Sequence, residues 1–222
     1  WAVGWSGTIV HWNGTAWALQ NSGTSNGLRG VWGSDANNLW AVGQGGTIVH
    51  WNGTAWVQER IPRVPWLNAI WGTSPHDIWV IGDSGAILHY NGSQWAESIS
   101  GTTETFKSVF GSGPNDVWVV GFKGVIRHFS GKTWSVVPVA SITQSLDHVF
   151  GSSQNDVWGV GKAGTIVHWD GKAWAASPSG STNDLHGIGG SGFGSAWAVG
   201  DKGTILKWDG QAWATVQSGT AF

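Results

Sequence analysis

Five histidines, His11, His50, His89, His128 and His168, recur at intervals of 39 or 40 residues, and Lys207 takes the sixth place in the series. Imidazoles at a fixed interval first suggest metal ligation, in which bonds of about 2 Å must converge on one ion. Each sits inside a short apolar run and is followed by an aromatic residue: Trp12, Trp51, Tyr90, Phe129 and Trp169. If the runs are strands of separate stacked sheets, about 10 Å apart, no two of these rings can share an ion. The sequence therefore predicts half-buried rings packed on a neighbouring tryptophan and hydrogen-bonded locally, with no metal and no cofactor. The recurrent Gly-x-x-Gly (Gly4 to Gly7, Gly43 to Gly46 and onwards) resembles a phosphate loop, but no helical period follows to supply an N-terminal dipole. It reads as a tight reversal. Asn13-Gly-Thr15, Asn52-Gly-Thr54 and Asn91-Gly-Ser93 match the N-glycosylation pattern, and hairpin turns ask for the same residues. Without cysteine there are neither disulfides nor thiolate metal sites.

These residues all belong to one repeated unit. A Trp-x-Val/Ile-Gly tetrad begins at Trp1, Trp40, Trp79, Trp118, Trp158 and Trp197, and a fixed period of this size marks a repeat architecture. In the second copy the unit holds four apolar runs, Leu28 to Trp32, Leu39 to Val42, Thr47 to Trp51 and Ala55 to Val57, bounded by Gly, Ser, Asn and Asp. Such runs are strands, and no window carries a sustained 3.6-residue period, so essentially no helix is expected. Asn13-Gly14, Asn52-Gly53, Asn91-Gly92, Ser130-Gly131, Asp170-Gly171 and Asp209-Gly210 predict two-residue hairpins in which both central residues take positive φ. Asn38, Asp77, Asp116 and Asp156 are expected to bond the backbone two residues on.

A four-stranded meander cannot bury both of its faces alone, and radial repetition solves that problem. The expected fold is all-β, one β-propeller domain over residues 1–222 with six four-stranded antiparallel blades. Eighteen of the 20 tryptophans occupy frame positions. First strands begin only at Leu28, Leu67, Phe106, Leu146 and Leu185, so the first blade lacks its own first strand. That strand is expected from outside this sequence, as an excerpt of a longer chain would have it, or else one blade has three strands. A formal charge of −2 with 11% charged residues leaves no basic footprint for nucleic acid. No apolar run approaches the ~18–20 residues of a membrane span. The absence of methionine and the 36 glycines suit a rigid, oxidation-tolerant module, secreted or at the cell surface.

The unit Trp-x-Val-Gly-x-x-Gly-Thr-Ile-x-His-Trp-Asn/Asp-Gly-x-x-Trp resembles the bacterial repeat propellers of the BNR or Asp-box-like kind, and the repeat of photosystem II assembly factors. It is more distantly similar to tectonin-type and tachylectin-type lectins. Asp170-Gly-Lys-Ala-Trp174 and Asp209-Gly-Gln-Ala-Trp213 keep the acid, glycine and tryptophan of the Asp-box in a hairpin one residue shorter. The enzyme this resemblance implies is a sialidase, which uses a tyrosine nucleophile and, by resemblance, an arginine triad. The single tyrosine, Tyr90, fills a slot held elsewhere by Trp or Phe, and Arg29, Arg60, Arg63 and Arg127 fall at unrelated repeat positions. The expectation is no enzyme.

Variation concentrates in the connectors from fourth to first strands, which should emerge on the same rim as the strand two–three turns. Trp5 and Phe122 in those turns, and Trp66 in a connector, stand outside the repeat frame. Gln44, Asp83, Lys123, Lys162, Asp201 and Lys202 share the turns and can supply polar contacts. The expected function is non-catalytic, extracellular and multivalent carbohydrate binding, with Trp5, Gln44, Trp66, Asp83, Phe122, Lys162 and Asp201 as ligand residues. The alternative is a scaffold that binds a protein partner on the same rim, as the assembly-factor resemblance implies.

Overall fold

A computed structural model describes residues 1–61, 64–139, 142–192 and 194–219. Arg63 lies outside them, as do parts of the second and fourth connectors and the chain end from Thr220. The chain divides into two compact units, Trp1–Phe106 and Lys107–Phe222.

In the first unit, β1 (Ala2–Val3), β2 (Ile9–Trp12) and β3 (Trp17–Gln20) form a three-stranded sheet. The second sheet is β4 (Leu28–Asp35), β5 (Asn38–Gly43), β6 (Ile48–Trp51) and β7 (Trp56–Gln58), and the third is β8 (Leu67–Ser74), β9 (Asp77–Gly82), β10 (Ile87–Tyr90) and β11 (Trp95–Glu97). The second unit carries three more four-stranded sheets. They are β12 (Phe106–Gly113) to β15 (Trp134–Val136), β16 (Leu146–Ser153) to β19 (Trp174–Ala176), and β20 (Leu185–Gly192) to β23 (Trp213–Thr215). Every neighbouring pair is antiparallel and consecutive in sequence, as a meander requires. In the second to fifth sheets the second strand is buried on both faces: in the third, Ile78, Trp79, Val80 and Ile81 are at most 2% exposed. This double burial removes the in–out alternation of a one-sided sheet.

Aromatic rings join consecutive sheets of a unit in one repeated arrangement. The second-strand tryptophan of one sheet meets the aromatic that ends the third strand of the next sheet, and the tryptophan that opens its fourth. Trp1 lies 5.4 Å from Trp51 and 5.5 Å from Trp56, and Trp40 lies 5.1 Å from Tyr90 and 5.5 Å from Trp95. In the second unit Trp118 meets Trp169 and Trp174 at 5.1 and 5.4 Å, and Trp158 meets Trp208 and Trp213 at the same two distances. The second of each pair is edge-on, at 73–89°, the geometry in which a ring's positive edge meets its neighbour's negative face.

Within four sheets the histidine series builds a local chain. His50, His89, His128 and His168 stack on Trp40, Trp79, Trp118 and Trp158 at 3.8–4.0 Å. Their Nε2 atoms lie 2.5–2.7 Å from a carboxylate or amide oxygen of Asn38, Asp77, Asp116 and Asp156. Thr73, Ser112 and Ser152 donate to the other carboxylate oxygen, and the Asn38 amide donates to Ser34. These four rings pack on a neighbouring tryptophan and bond locally, as their setting implied. The role expected of the four acidic or amide residues is corrected: they grip the histidine across the sheet instead of the backbone two residues on. That backbone bond comes from Asp35, Ser74 and Ser153, which sit one turn earlier.

One further expectation changes. The Asn13-Gly14 reversal is a four-residue loop in which only Gly14 has positive φ. Asn13 Oδ1 accepts from the N–H groups of Thr15 and Ala16, at 2.9 Å each, so the side chain closes the turn and the asparagine backbone need not become left-handed. The strand two–three reversals each contain a single turn of 3-10 helix, from Trp5–Gly7 to Asp201–Gly203.

Asn38 faces His50 where the other three sheets place a carboxylate, and burial holds the His50 imidazole below its ordinary value. The Glu59 carboxyl, itself raised by burial, stands 3.7 Å from the other ring nitrogen. Folding favours neutral His50, so its contribution is complete above the unfolded pKa of about 6.5 and is lost as pH falls below it. Asn38→Asp is expected to raise the His50 pKa and to flatten the loss of stability between about pH 7 and pH 5. An NMR titration of the His50 ring beside thermal unfolding at each pH checks this; an unchanged titration overturns it.

Candidate functional site

The 3-10 turns position the site. The N–H of the first turn residue donates to the carbonyl just ahead of the same sheet's first strand: Gln44 to Gly27, Asp83 to Trp66, Lys162 to Ser145 and Asp201 to Asp184, all at 2.9 Å. A Cβ on the preceding glycine would stand 2.0–2.2 Å from that carbonyl oxygen, at Gly43, Gly82, Gly161 and Gly200. This close approach sets three side chains together: the first turn residue, the last connector residue and the second residue of the first strand.

In the first unit these are Asp83, Trp66 and Asn68, with Arg29 arriving from the adjacent first strand. The Arg29 guanidinium lies 4.7 Å above the Trp66 ring and donates to Asn68 Oδ1. Asn68 Nδ2 donates to Asp83 Oδ1 at 2.8 Å and to the Phe106 carbonyl at 2.9 Å. Trp5 and Gln44 meet around Gly27: Gln44 Oε1 accepts the Gly27 N–H at 3.1 Å, and a Cβ on Gly27 would stand 3.1 Å from the Trp5 ring.

In the second unit the Lys107 ammonium lies 4.8 Å over Phe122 and donates to Asp147 Oδ1 at 2.6 Å. Asp147, with a side chain only 9% exposed, also has Lys162 at 3.7 Å and His186 at 3.5 Å. Lys162 donates to Asp184 at 2.7 Å, and His186 Nε2 lies 2.7 Å from Asp201. The hydrogen bond with Asp184 raises the Lys162 pKa, and the same contact holds Asp184 below the usual carboxylate range. Charges of both signs therefore interlock, and exposed aromatic rings lie beneath the cations. Trp5, Trp66 and Phe122 are 71%, 42% and 42% exposed.

Tyr90 is packed 5.1 Å from Trp40 and 5.2 Å from Trp95, and burial followed by the charge of Glu59 pushes its phenol up, away from nucleophilic use. Among the described residues no group of three or more His, Cys, Asp or Glu side chains is placed to hold a metal ion.

No family model and no curated protein matches this chain. Solved structures do. YCF48 bound to a D1 peptide matches over 96% of this chain and 75% of its own, with a TM-score of 0.74 at 18% identity. The WD40 β-propeller domain of Doa1 matches over 97% and 72%, with a TM-score of 0.72 at 14% identity. Virginiamycin B lyase from Staphylococcus aureus matches over 86% and 70%, with a TM-score of 0.74 at 13% identity. The fold is a β-propeller. Its six sheets are the blades, and the first blade has three strands. Proteins of such different kinds share the fold, so function has to be argued from the site.

All seven residues singled out from the sequence lie at these blade ends, Trp5, Gln44, Trp66 and Asp83 in one unit and Phe122, Lys162 and Asp201 in the other. The residues that tie them together were missed: Arg29, Asn68, Lys107, Asp147 and His186, each the second residue of its blade's first strand. The sequence does carry a signal for them. One position after a constant Leu or Phe, and 39 or 40 residues apart, the residue changes from Arg to Asn, Lys, Asp and His.

Proposed function

We propose that this propeller is a non-catalytic binding module that holds an extended segment of a protein partner on the blade ends where turns and connectors meet. The carrying observation is the cation held over an exposed ring in each unit, Arg29 over Trp66 and Lys107 over Phe122, with bonded donors and acceptors from the next first strand. Arg and Trp anchors ringed by polar groups are the residue types that dominate protein interfaces. A structurally similar protein, YCF48, is known with a bound D1 peptide, which supports the reading by analogy of fold.

An array of random peptides, probed with the labelled chain, tests the proposal. A subset is expected to bind saturably and to lose roughly tenfold or more in affinity in Arg29→Ala, for segments held on the first unit, or in Lys107→Ala, for segments held on the second. Both side chains are at least partly exposed, so the thermal unfolding midpoints should stay in place.

Carbohydrate binding at a secreted or cell-surface location is the second reading. It rests on two grooves at equivalent repeat positions, of about 580 Å³ beside Ser84, Ser100 and Thr102 and about 370 Å³ beside Ser6, Ser22 and Thr24. A glycan array run in parallel separates the two: saturable sugar binding with a silent peptide array overturns the peptide reading.

A further inference from the structure

Where glycine follows asparagine, the next main-chain nitrogen can attack the side-chain amide, because glycine has no Cβ to obstruct the approach. The chain holds four such pairs, all in the first unit: Asn13-Gly14, Asn26-Gly27, Asn52-Gly53 and Asn91-Gly92. Three of them are hairpin turns, and their asparagines are exposed and share one geometry. Asn13 Oδ1 accepts from the Thr15 N–H at 2.9 Å, from Thr15 Oγ1 at 2.8 Å and from the Ala16 N–H at 2.9 Å. Asn52 Oδ1 takes the same three bonds from Thr54 and Ala55 at 2.7–3.1 Å, and Asn91 Oδ1 from Ser93 and Gln94 at 2.8–3.0 Å. Three donors on one carbonyl oxygen draw charge from Cγ and stabilise the oxyanion that forms when a nucleophile adds there. Among the described residues none holds the amide nitrogen of these three, the group that would leave.

Asn26 is the same dipeptide set the opposite way. It too is exposed, but its Nδ2 donates to Thr47 Oγ1 at 2.7 Å, and the N–H of the buried Gly27 donates to Gln44 Oε1 at 3.1 Å. Leaving group and nucleophile are both engaged. The second unit shows what a hairpin holds when the amide is an acid. Asp170 and Asp209 stand at the equivalent position, and one carboxylate oxygen of each accepts the same two N–H groups, from Ala173 and Lys172 and from Ala212 and Gln211, at 2.8–2.9 Å. Those bonds hold both carboxyls below the usual carboxylate range.

We infer that Asn13, Asn52 and Asn91 are sites of spontaneous deamidation in the folded protein, and that the fold shields Asn26 from it. The glycine nitrogen gives its proton to solvent base and bonds to Cγ. The Cγ–Nδ2 bond then breaks, and ammonia leaves with a proton from solvent, closing a succinimide. Water opens that ring at Cγ to give aspartate, or at the main-chain carbonyl to give isoaspartate. The aspartyl product keeps both N–H bonds, as Asp170 and Asp209 do, whereas isoaspartate adds a carbon to the main chain of a four-residue loop. Each conversion adds one negative charge, so the three together take the formal charge from −2 to −5. The charge appears at the end of the third strand opposite the 3-10 turns. The inference therefore does not depend on the peptide reading.

Peptide mapping by mass spectrometry tests it, on the purified chain incubated in mildly alkaline buffer, folded and in urea. In the folded chain Asn13, Asn52 and Asn91 are expected to convert while Asn26 keeps its amide; in urea all four should convert together. Thr54→Val, which removes one donor to Asn52 Oδ1, should slow Asn52 by roughly two- to tenfold and leave Asn13 and Asn91 at the wild-type rate. Three results overturn the inference: Asn26 converting as fast as the hairpins in the folded chain, hairpins that keep their amides when folded, or an Asn52 rate untouched by Thr54→Val.

Discussion

Replacing Gly164 by alanine is expected to lower the thermal unfolding midpoint by about 10 °C. Gly164 closes the 3-10 turn of the fifth blade with φ +69, and a Cβ there would stand 1.8 Å from the Ser181 carbonyl oxygen and 2.6 Å from its carbon. Both are backbone atoms of the connector that leaves the fifth blade, so no rotamer change relieves the overlap and turn and connector must separate. The left-handed backbone costs an L-residue roughly 1–2 kcal/mol, and forced overpacking typically adds 1–3 kcal/mol. A loss of about 3 kcal/mol in a chain of this size corresponds to the stated shift. Gly180→Ala is the control. It has φ +70 with nothing within 4 Å of the added carbon, and should lose only about 3 °C. Equal shifts in the two variants would refute the steric account.

Trp118→Ala is expected to cost about 4 kcal/mol, read from the denaturant midpoint. The side chain is 1% exposed, stacks on His128 at 3.9 Å and carries the contact to Trp169 and Trp174 in the next blade. Removing it opens a cavity within a blade and undoes the contact between two. Trp17→Ala, at the same place in the repeat as Trp174 but 56% exposed, should cost less than about 1 kcal/mol. Similar losses at the two sites would mean that the tryptophans stabilise by local strand pairing and not by the contact between blades.

The repeat frame was legible because strand patterning is a property of near neighbours. The period, the four runs per unit, the absent first strand of the first blade and the shared rim of turns and connectors all follow from local apolar order and turn residues. Partners across a sheet follow no such rule. Asp77 reads as a turn residue from its immediate neighbours, yet its carboxylate is claimed by His89, twelve positions on and on the neighbouring strand. Asn13 resembles a left-handed turn residue until its side chain, free to bend back, closes the loop itself. The site divides the same way. Trp5, Trp66 and Phe122 stood out because they break the frame. Arg29 and Asn68, 39 residues apart, sit inside strands where a polar residue ordinarily means a solvated face, and only the packing of adjacent first strands makes them neighbours.

The second residue of each first strand has a bearing on how such a protein can change over generations. Its backbone is fixed by the ladder and by the buried Leu or Phe beside it, while its side chain takes little part in the apolar core. Arg, Asn, Lys, Asp and His occupy this one position in five blades without altering the strand that carries them. Under the proposed binding role, a mutation there redirects what the blade ends hold with little effect on folding, and duplicating a blade adds one more independently variable contact. Variation of side chain and preservation of the scaffold thereby fall to different atoms of the same repeat.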